Sequence, residues 1–401
     1  MKYAIVIPDG AADLPVEELD AKTPLQAANK PNIDALAATG RCGTVRNIPD
    51  GLPCGSDVAI LSVLGYDPKQ YYTGRAPLEA AAQNLPIADD EWVFRCNFVT
   101  IIDGIMSDHS AGHISTQEAA ALIDELNRLL DDEPVRFYPG VSYRHLMTFA
   151  GECDATTTPP HDILGDKADA HLPDGKGAAK LRELIRRSRD ILADHEVNAV
   201  RRDLGENPAT SIWLWGEGKM PKLPAFEERY GVRGAAIAAV DLVRGLAKLI
   251  GWRTIEVEGA TGYVDTNYAG KGAAAIEALD DVDLVFVHVE APDEAGHNAN
   301  PADKVRAIEQ IDQHIVGPVS ERLRREGDGG AAGGGWRMLV LPDHPTPCSV
   351  RTHTGDPVPF VLAGTRVEKV VSGPFCEDTA AAADLHIPRG CELMEYFLTV
   401  R

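Results

Sequence analysis

Three stretches of the chain are apolar almost without interruption, and an acidic residue follows each one. YAIVIP leads into Asp9, VDLVFVHVE (Val282–Glu290) runs on to Asp293, and RMLVLP leads into Asp343 and His344. Short runs this apolar predict central strands covered on both faces. Between them the spacing of apolar positions turns helical. KPNIDALAATG predicts a helix with Gly40 as its C-cap, and PADKVRAIEQIDQHIVGPVSERLRRE predicts one starting at Pro301. Strands alternating with amphipathic helices predict an α/β fold, a mainly parallel sheet flanked by helices.

The middle of the chain breaks this rhythm. From Ala76 to Arg229 the segments are irregular and Pro-rich, as in TTTPPHDILGDKADAHLPDGKG, while strong strand signals lie on both sides. The expected organisation is a first domain of residues 1–75 and 230–401, with a second α/β domain, 76–229, inserted into it. GDGGAAGGGW (Gly327–Trp336) is low-complexity and reads as a flexible surface loop. No strand–turn–helix context makes it a phosphate loop.

Composition narrows the partners. The formal charge of −22 repels nucleic acid and anionic membranes, so neither is expected as a partner. No apolar run approaches the roughly 18 residues a membrane helix needs. The opening MKYAIVIPDG lacks the long apolar core of a secretory signal. Seven cysteines are scattered without a CxxC pair, which fits a reducing cytoplasm better than a disulfide framework. Nothing in the pattern fixes an oligomeric state.

The acids at the strand ends change the picture. A strand that simply stops needs Gly, Asn or Pro, not a carboxylate beside an imidazole. In open α/β sheets the carboxyl ends of parallel strands converge on the ligand crevice. Asp9, Asp293 and Asp343 converging there demand cations. Asp293 and His297, four residues apart, emerge on one face of any helical turn, and His353 follows in PDHPTPCSVRTH. Asp and His together suit Mn²⁺, Zn²⁺ or Co²⁺. Asp9, Asp343 and His344 suffice for one ion, and Asp293, His297 and His353 for a second, with positions left open for a reactant. GLPCGSDVAILSVLG puts Ser56 at the start of an apolar helix. There it is either an inert N-cap or a nucleophile activated by the metal.

The blocks IPDG, GSDVAILSVLGYDP, TGRAPLEAA, SAGHIST, YRHL, PPHD, GATGYVDTNYAGK, HVEAPDEAGH and PDHPTPCSVRTHT occur in that order along nearly the whole chain. The set resembles the archaeal-type branch of the cofactor-independent phosphoglycerate mutases, within the alkaline phosphatase superfamily. That resemblance implies an alkaline-phosphatase-like sheet, two ions of the Mn²⁺ class (Zn²⁺, Co²⁺ or Mg²⁺ being alternatives) and no 2,3-bisphosphoglycerate. It implies a phosphoserine at Ser56 that carries the group between the hydroxyls of glycerate, interconverting 3- and 2-phosphoglycerate in glycolysis and gluconeogenesis. It also implies Ser56 as a ligand of the ion held by Asp9, Asp343 and His344. Cys54 stands where the family pattern has Pro or Ala, and the Gly-rich loop is a local insertion.

A small phosphorylated substrate on so acidic a chain needs imported cations. Arg75, Arg144 and Lys271 lie in the matching blocks, with His109 as a further donor and His113 as the expected general acid. The inserted domain is expected to exclude water, because a wet phosphoserine hydrolyses. Alternatives on the same chemistry are a metal-dependent phosphatase or a phosphotransferase such as a homoserine kinase, although no P-loop or kinase Gly-rich motif is present. A metal-stabilised binding protein without turnover is a third reading, disfavoured by the open ligand shells.

Overall fold

The structure, a computed structural model, describes residues 1–131, 134–328, 334–370 and 373–399. Residues 329–333 of the Gly-rich stretch lie outside the described residues. The chain divides into two compact units, 1–72 with 222–401, and 73–221. Both boundaries fall earlier than the pattern suggested, for packing reasons. Thr73 Oγ donates to the Lys219 carbonyl, which places 73–75 with the second unit. At the other end the Phe226 ring packs on Trp252, 4.7 Å between centroids, which keeps 222–229 with the first.

The first unit is built on an eight-stranded sheet. Its strands are β1 (Lys2–Pro8), β2 (Arg41–Val45), β3 (Gly234–Ile237), β4 (Arg253–Ile255), β5 (Leu284–Val289), β6 (Trp336–Val340), β7 (Val358–Gly364) and β8 (His386–Ile387). Their order is β4-β3-β5-β1-β6-β7-β2-β8, and only β7 runs antiparallel to its neighbours. The three apolar runs are therefore adjacent, with β1 between β5 and β6. Pro8 pairs with Val289, and Val6 with Val340, so the three strands end side by side. β5 is buried at every position, as a strand covered on both faces must be.

Helices α1 (Pro31–Thr39), α2 (Ser56–Val63), α3 (Tyr268–Asp281), α4 (Ala291–His297) and α5 (Pro301–Ile311) include those that matter to the site. Gly40 does end α1, but not in the left-handed conformation expected of a C-cap glycine. A Cβ there would press into the Leu362 carbonyl of β7, so close approach explains the glycine. The helix expected from Pro301 onward is also interrupted. A π-turn spans Asp312–Val316 before helix resumes at Gly317. The Asp312 carboxylate accepts from the Ile33 N–H at 2.7 Å and the Asn32 N–H at 3.2 Å, capping α1. No described helix is long and apolar enough to cross a membrane.

The second unit has an antiparallel sheet of Ile105–Asp108, Glu91–Ile102, Arg144–Ala150 and Val135–Tyr138, with Ser211–Lys219 also paired to Glu91–Ile102. Helices Thr116–Leu129 and Ala178–Ala193 bury Leu122, Leu126, Leu181 and Leu184 against Phe94, Phe98 and Leu214. Amphipathic helices closing one face of an antiparallel sheet give this unit an α+β arrangement.

Candidate active site

The three adjacent strand ends bring the expected acids together. Asp9 follows β1, Asp343 and His344 follow β6, and α4 begins just after β5, placing Asp293 and His297 one turn apart. His344 Nε2 lies 3.4 Å from Asp343 Oδ2 and 3.5 Å from Asp9 Oδ1. Asp293 sits 3.3 Å from His297 Nε2 through one oxygen and 3.4 Å from His353 Nε2 through the other. Ser56 is the first residue of α2 and makes no capping bond, so the inert N-cap role fails. Its hydroxyl lies 3.0 Å from His344 Nε2. All seven expected ligand residues thus share one cluster in the first unit. Its subdivision is less clean than the expected sets, because Asp293, His344 and His353 present atoms within 4.8 Å of one another.

The tautomers of two histidines can be argued from their partners. His297 Nδ1 faces the Arg351 carbonyl at 3.0 Å, and His353 Nδ1 faces the Cys54 carbonyl at 3.1 Å. A carbonyl only accepts, so each ring donates from Nδ1 and turns Nε2 inward as a lone pair. Those two Nε2 atoms lie 2.9 Å apart, beside the Asp293 carboxylate. Two lone pairs and an anion at that separation require a cation among them. Without a metal a proton takes that place. The Asp293 hydrogen bond, against burial, raises His297 to about 9. Burial would push Asp293 up, yet the bonds from His297 and His353 hold it well below the usual carboxylate range.

The other half of the cluster is electron-rich and dry. Burial, followed by repulsion from Asp343, Asp293 and Glu290, pushes Asp9 well above its ordinary value. Asp9 Oδ1 and Asp343 Oδ2 are buried without a hydrogen-bond partner, as is His288 Nδ1, while His288 Nε2 lies 3.0 Å from Asp9 Oδ2. Orphaned buried oxygens and nitrogens of this kind are what a divalent ion would satisfy, and O/N donors suit Mn²⁺ or Zn²⁺. The donor set therefore fits two cations.

Surrounding groups hold these ligands in place. Asn47 donates to the Asp343 carbonyl at 2.8 Å, and the Gly10 N–H to Asp343 Oδ1 at 3.2 Å. The Thr346 hydroxyl donates to Asp293 Oδ1. Gly10 turns with φ +62°, and a Cβ there would meet Asp293 and Thr346 at 2.6 Å.

The residues expected to meet substrate divide between the units. Lys271, on α3, is fully buried, and its ammonium donates to the His288 carbonyl at 3.1 Å. Burial pulls its pKa to about 8. This differs from the substrate-facing cation expected of it, since the helix turns the side chain into the sheet. The others lie in the second unit. His109 and His113 pack edge-on to the Tyr143 ring, at 5.8 and 6.0 Å, next to Arg144. Their loop is organised by Asp108, which accepts from the Ser110 and Gly112 N–H groups. Arg75 pairs with Glu79 at 3.4 Å.

The second unit's central strand, Glu91–Ile102, adds a cation that the sequence did not single out. Arg95 lies 3.1 Å from Glu79 and stacks 4.1 Å over Trp215. Burial lowers its pKa, Glu79 opposes this, and Arg75 and Arg144 add to the lowering. His161, held down by burial, also feels His109, Arg95 and Arg75. Arg75 and Arg95 flank the Glu79 carboxylate, with Arg144 acting on Arg95 and with His161 close to His109, so basic groups collect in this unit of an acidic chain.

A family model described as 2,3-bisphosphoglycerate-independent phosphoglycerate mutase matches residues 37–198. A curated protein of that name from Methanothrix thermoacetophila is 51% identical over 96% of this chain and 94% of its own length. The chain belongs to the 2,3-bisphosphoglycerate-independent phosphoglycerate mutases. It is accordingly an enzyme, an isomerase by family. Among solved structures, a Pyrococcus horikoshii protein superposes with TM-score 0.83 at 31% identity, covering 99% of this chain and 96% of that one. The cofactor-independent phosphoglycerate mutase of Thermoplasma acidophilum superposes with TM-score 0.65 at 26% identity, covering both chains fully.

Within this mutase family member, sequence reasoning passed over His288 and Glu290. His288 joins Asp9 and Asp343, and Glu290 joins Asp9 and Asp293, each set with atoms within 4.8 Å. The signal was present in the quoted run: His288 is the one polar side chain in LVFVHV, and a polar group inside a fully buried strand requires a partner.

Proposed function

We propose that the chain interconverts 3-phosphoglycerate and 2-phosphoglycerate through a phosphoserine at Ser56, in a site holding two divalent cations of the Mn²⁺ class. The observation that carries this reading is the Ser56 hydroxyl, 3.0 Å from His344 Nε2 and beside the unpartnered buried oxygens of Asp9 and Asp343. Divalent ions bound there would neutralise the carboxylates and lower the proton affinity of the Ser56 hydroxyl. The chain's own residues do the rest. Burial holds the His344 pKa down, so the ring stays neutral and its Nε2, 3.0 Å from the Ser56 oxygen, would bind the same cation as that oxygen, beside Asp9 and Asp343. Asp293, His297 and His353 would hold a second cation, whose charge would offset that of the substrate's phosphate.

Arg75, Arg95, Arg144, His109 and His161 hold the anionic groups of the substrate, and His113 is the candidate proton donor. Guanidiniums suit both phosphate and carboxylate because they bind them bidentately. No 2,3-bisphosphoglycerate is needed, since the phosphoryl group never leaves the enzyme–glycerate pair. Seven cysteines without a disulfide support a reducing compartment such as the cytoplasm.

Replacing Ser56 by Ala tests the nucleophile. The expected outcome is a fall in kcat of more than about a thousandfold with the metal content unchanged. A Ser56→Ala protein that keeps full activity would remove the phosphoserine from the mechanism.

A further inference from the structure

Lys304 and Asp13 form an ion pair that no part of the mechanism above uses. Both side chains are wholly buried, with Lys304 Nζ 2.7 Å from Asp13 Oδ2. The ammonium has three protons and three acceptors: Asp13, the Thr346 carbonyl at 2.8 Å and the Ala12 carbonyl at 3.5 Å. Asp13 in turn accepts from the Cys348 N–H at 3.2 Å and the Leu14 N–H at 2.8 Å. Lys304 stands on α5, while its partners come from the loop after β1 and the loop after β6.

Those loops are the ones that carry the ligands. Asp9 begins the first, and Asp343 and His344 begin the second. Thr346 connects the two, its N–H donating to the Gly10 and Ala12 carbonyls at 3.3 Å and its hydroxyl to Asp293. The pair thus ties together three backbone segments, two of them the loops that begin at Asp9 and at Asp343–His344, and its hydrogen-bond partners are not the ligands themselves but Ala12, Thr346, Leu14 and Cys348. Stability alone does not explain it, because a buried ion pair is often no better than apolar residues of the same size. Fixed geometry does explain it, since a single ammonium sets the distance between two strand-end loops.

We propose that the Lys304–Asp13 pair is a positioning device that holds the Asp9 and Asp343–His344 loops at cation-binding spacing before any cation arrives. The inference rests on the metal reading of the site. Outer groups that orient ligands in this way are worth roughly 10–100-fold in metal affinity.

The test uses Lys304→Met and the double variant Lys304→Met/Asp13→Leu, with Co²⁺ as the probe. The single variant leaves a buried carboxylate unpaired and lowers the melting temperature of the metal-free protein. The double variant removes both charges and recovers it. If positioning is the role, the double variant still binds Co²⁺ at least about tenfold more weakly, its visible Co²⁺ spectrum shifts, and kcat falls more than KM rises. A folded double variant with Co²⁺ affinity within threefold of the unaltered protein would overturn the proposal, leaving the pair a purely structural element. Should the double variant not fold, Asp13→Asn, which keeps size and an acceptor oxygen, is judged by the same thresholds. An unaltered protein that bound no Co²⁺ would instead overturn the metal reading itself, together with this inference.

Discussion

His145 shows how much one buried side chain can impose. It lies on the strand Arg144–Ala150, its Nδ1 accepting from the Gly140 N–H at 3.0 Å and its Nε2 buried without a partner. Burial drives its pKa from 6.5 to about 3. The folded value lies below the unfolded one, so between these limits the unfolded chain binds a proton that the folded chain refuses. The associated stability is present above pH 6.5 and is lost as pH falls toward 3, at about 1.4 kcal/mol per pH unit. His145→Gln should therefore flatten the decline of stability between about pH 6.5 and 5, measured by urea unfolding followed through tryptophan fluorescence. Identical slopes in the two proteins would show that His145 is charged or solvated in the fold. Nothing in the sequence marked this residue, since YRHL was read for Arg144 alone. A histidine's burial depends on which face of a strand it occupies, and short irregular segments do not reveal that.

At the level of elements, the strands were the most legible feature. A run such as LVFVHV has no polar face to offer water, so it must be central, and an acid after it has to be explained by what lies at the strand end. Parallel alignment then does the rest: three central strands ending side by side place Asp9, Asp293 and Asp343 together. Candidate ligands carried inside the strand, like His288, were missed because attention to strand ends excludes them. Helix termini were less legible, because tertiary contacts set them. The π-turn at Asp312–Val316 exists where Asp312 caps a different helix, 280 residues away in sequence for Asn32. Gly40 likewise reflects the approach of α1 to β7. Gly40→Ala should destabilise the first unit by about 1–3 kcal/mol, because the methyl group overpacks against the Leu362 carbonyl. An unchanged urea midpoint would contradict that packing reason.

Across the whole molecule, the chemistry separates by unit. The carboxylate cluster and Ser56 lie in the first, and Arg75, Arg95 and Arg144 lie in the second with His109, His113 and His161. This division was partly visible as motif blocks, because Arg75 and Arg144 fell in them. Arg95 was not legible in the sequence, since a guanidinium stacked over Trp215 depends on pairing between distant strands, while His161 stood unremarked in the block PPHD. A net charge of −22 makes such a patch the natural place for an anion, and makes the acidic cluster costly without divalent ions. The most direct test of the central claim is ³¹P NMR of the protein with 3-phosphoglycerate and Mn²⁺, without 2,3-bisphosphoglycerate or ATP, repeated after chelation. A phosphoserine mutase that depends on its cations should build a 2-phosphoglycerate signal to a stable ratio, and that growth should stop when EDTA removes the metal. Release of free phosphate alone, or conversion that continues undiminished in EDTA, would contradict it.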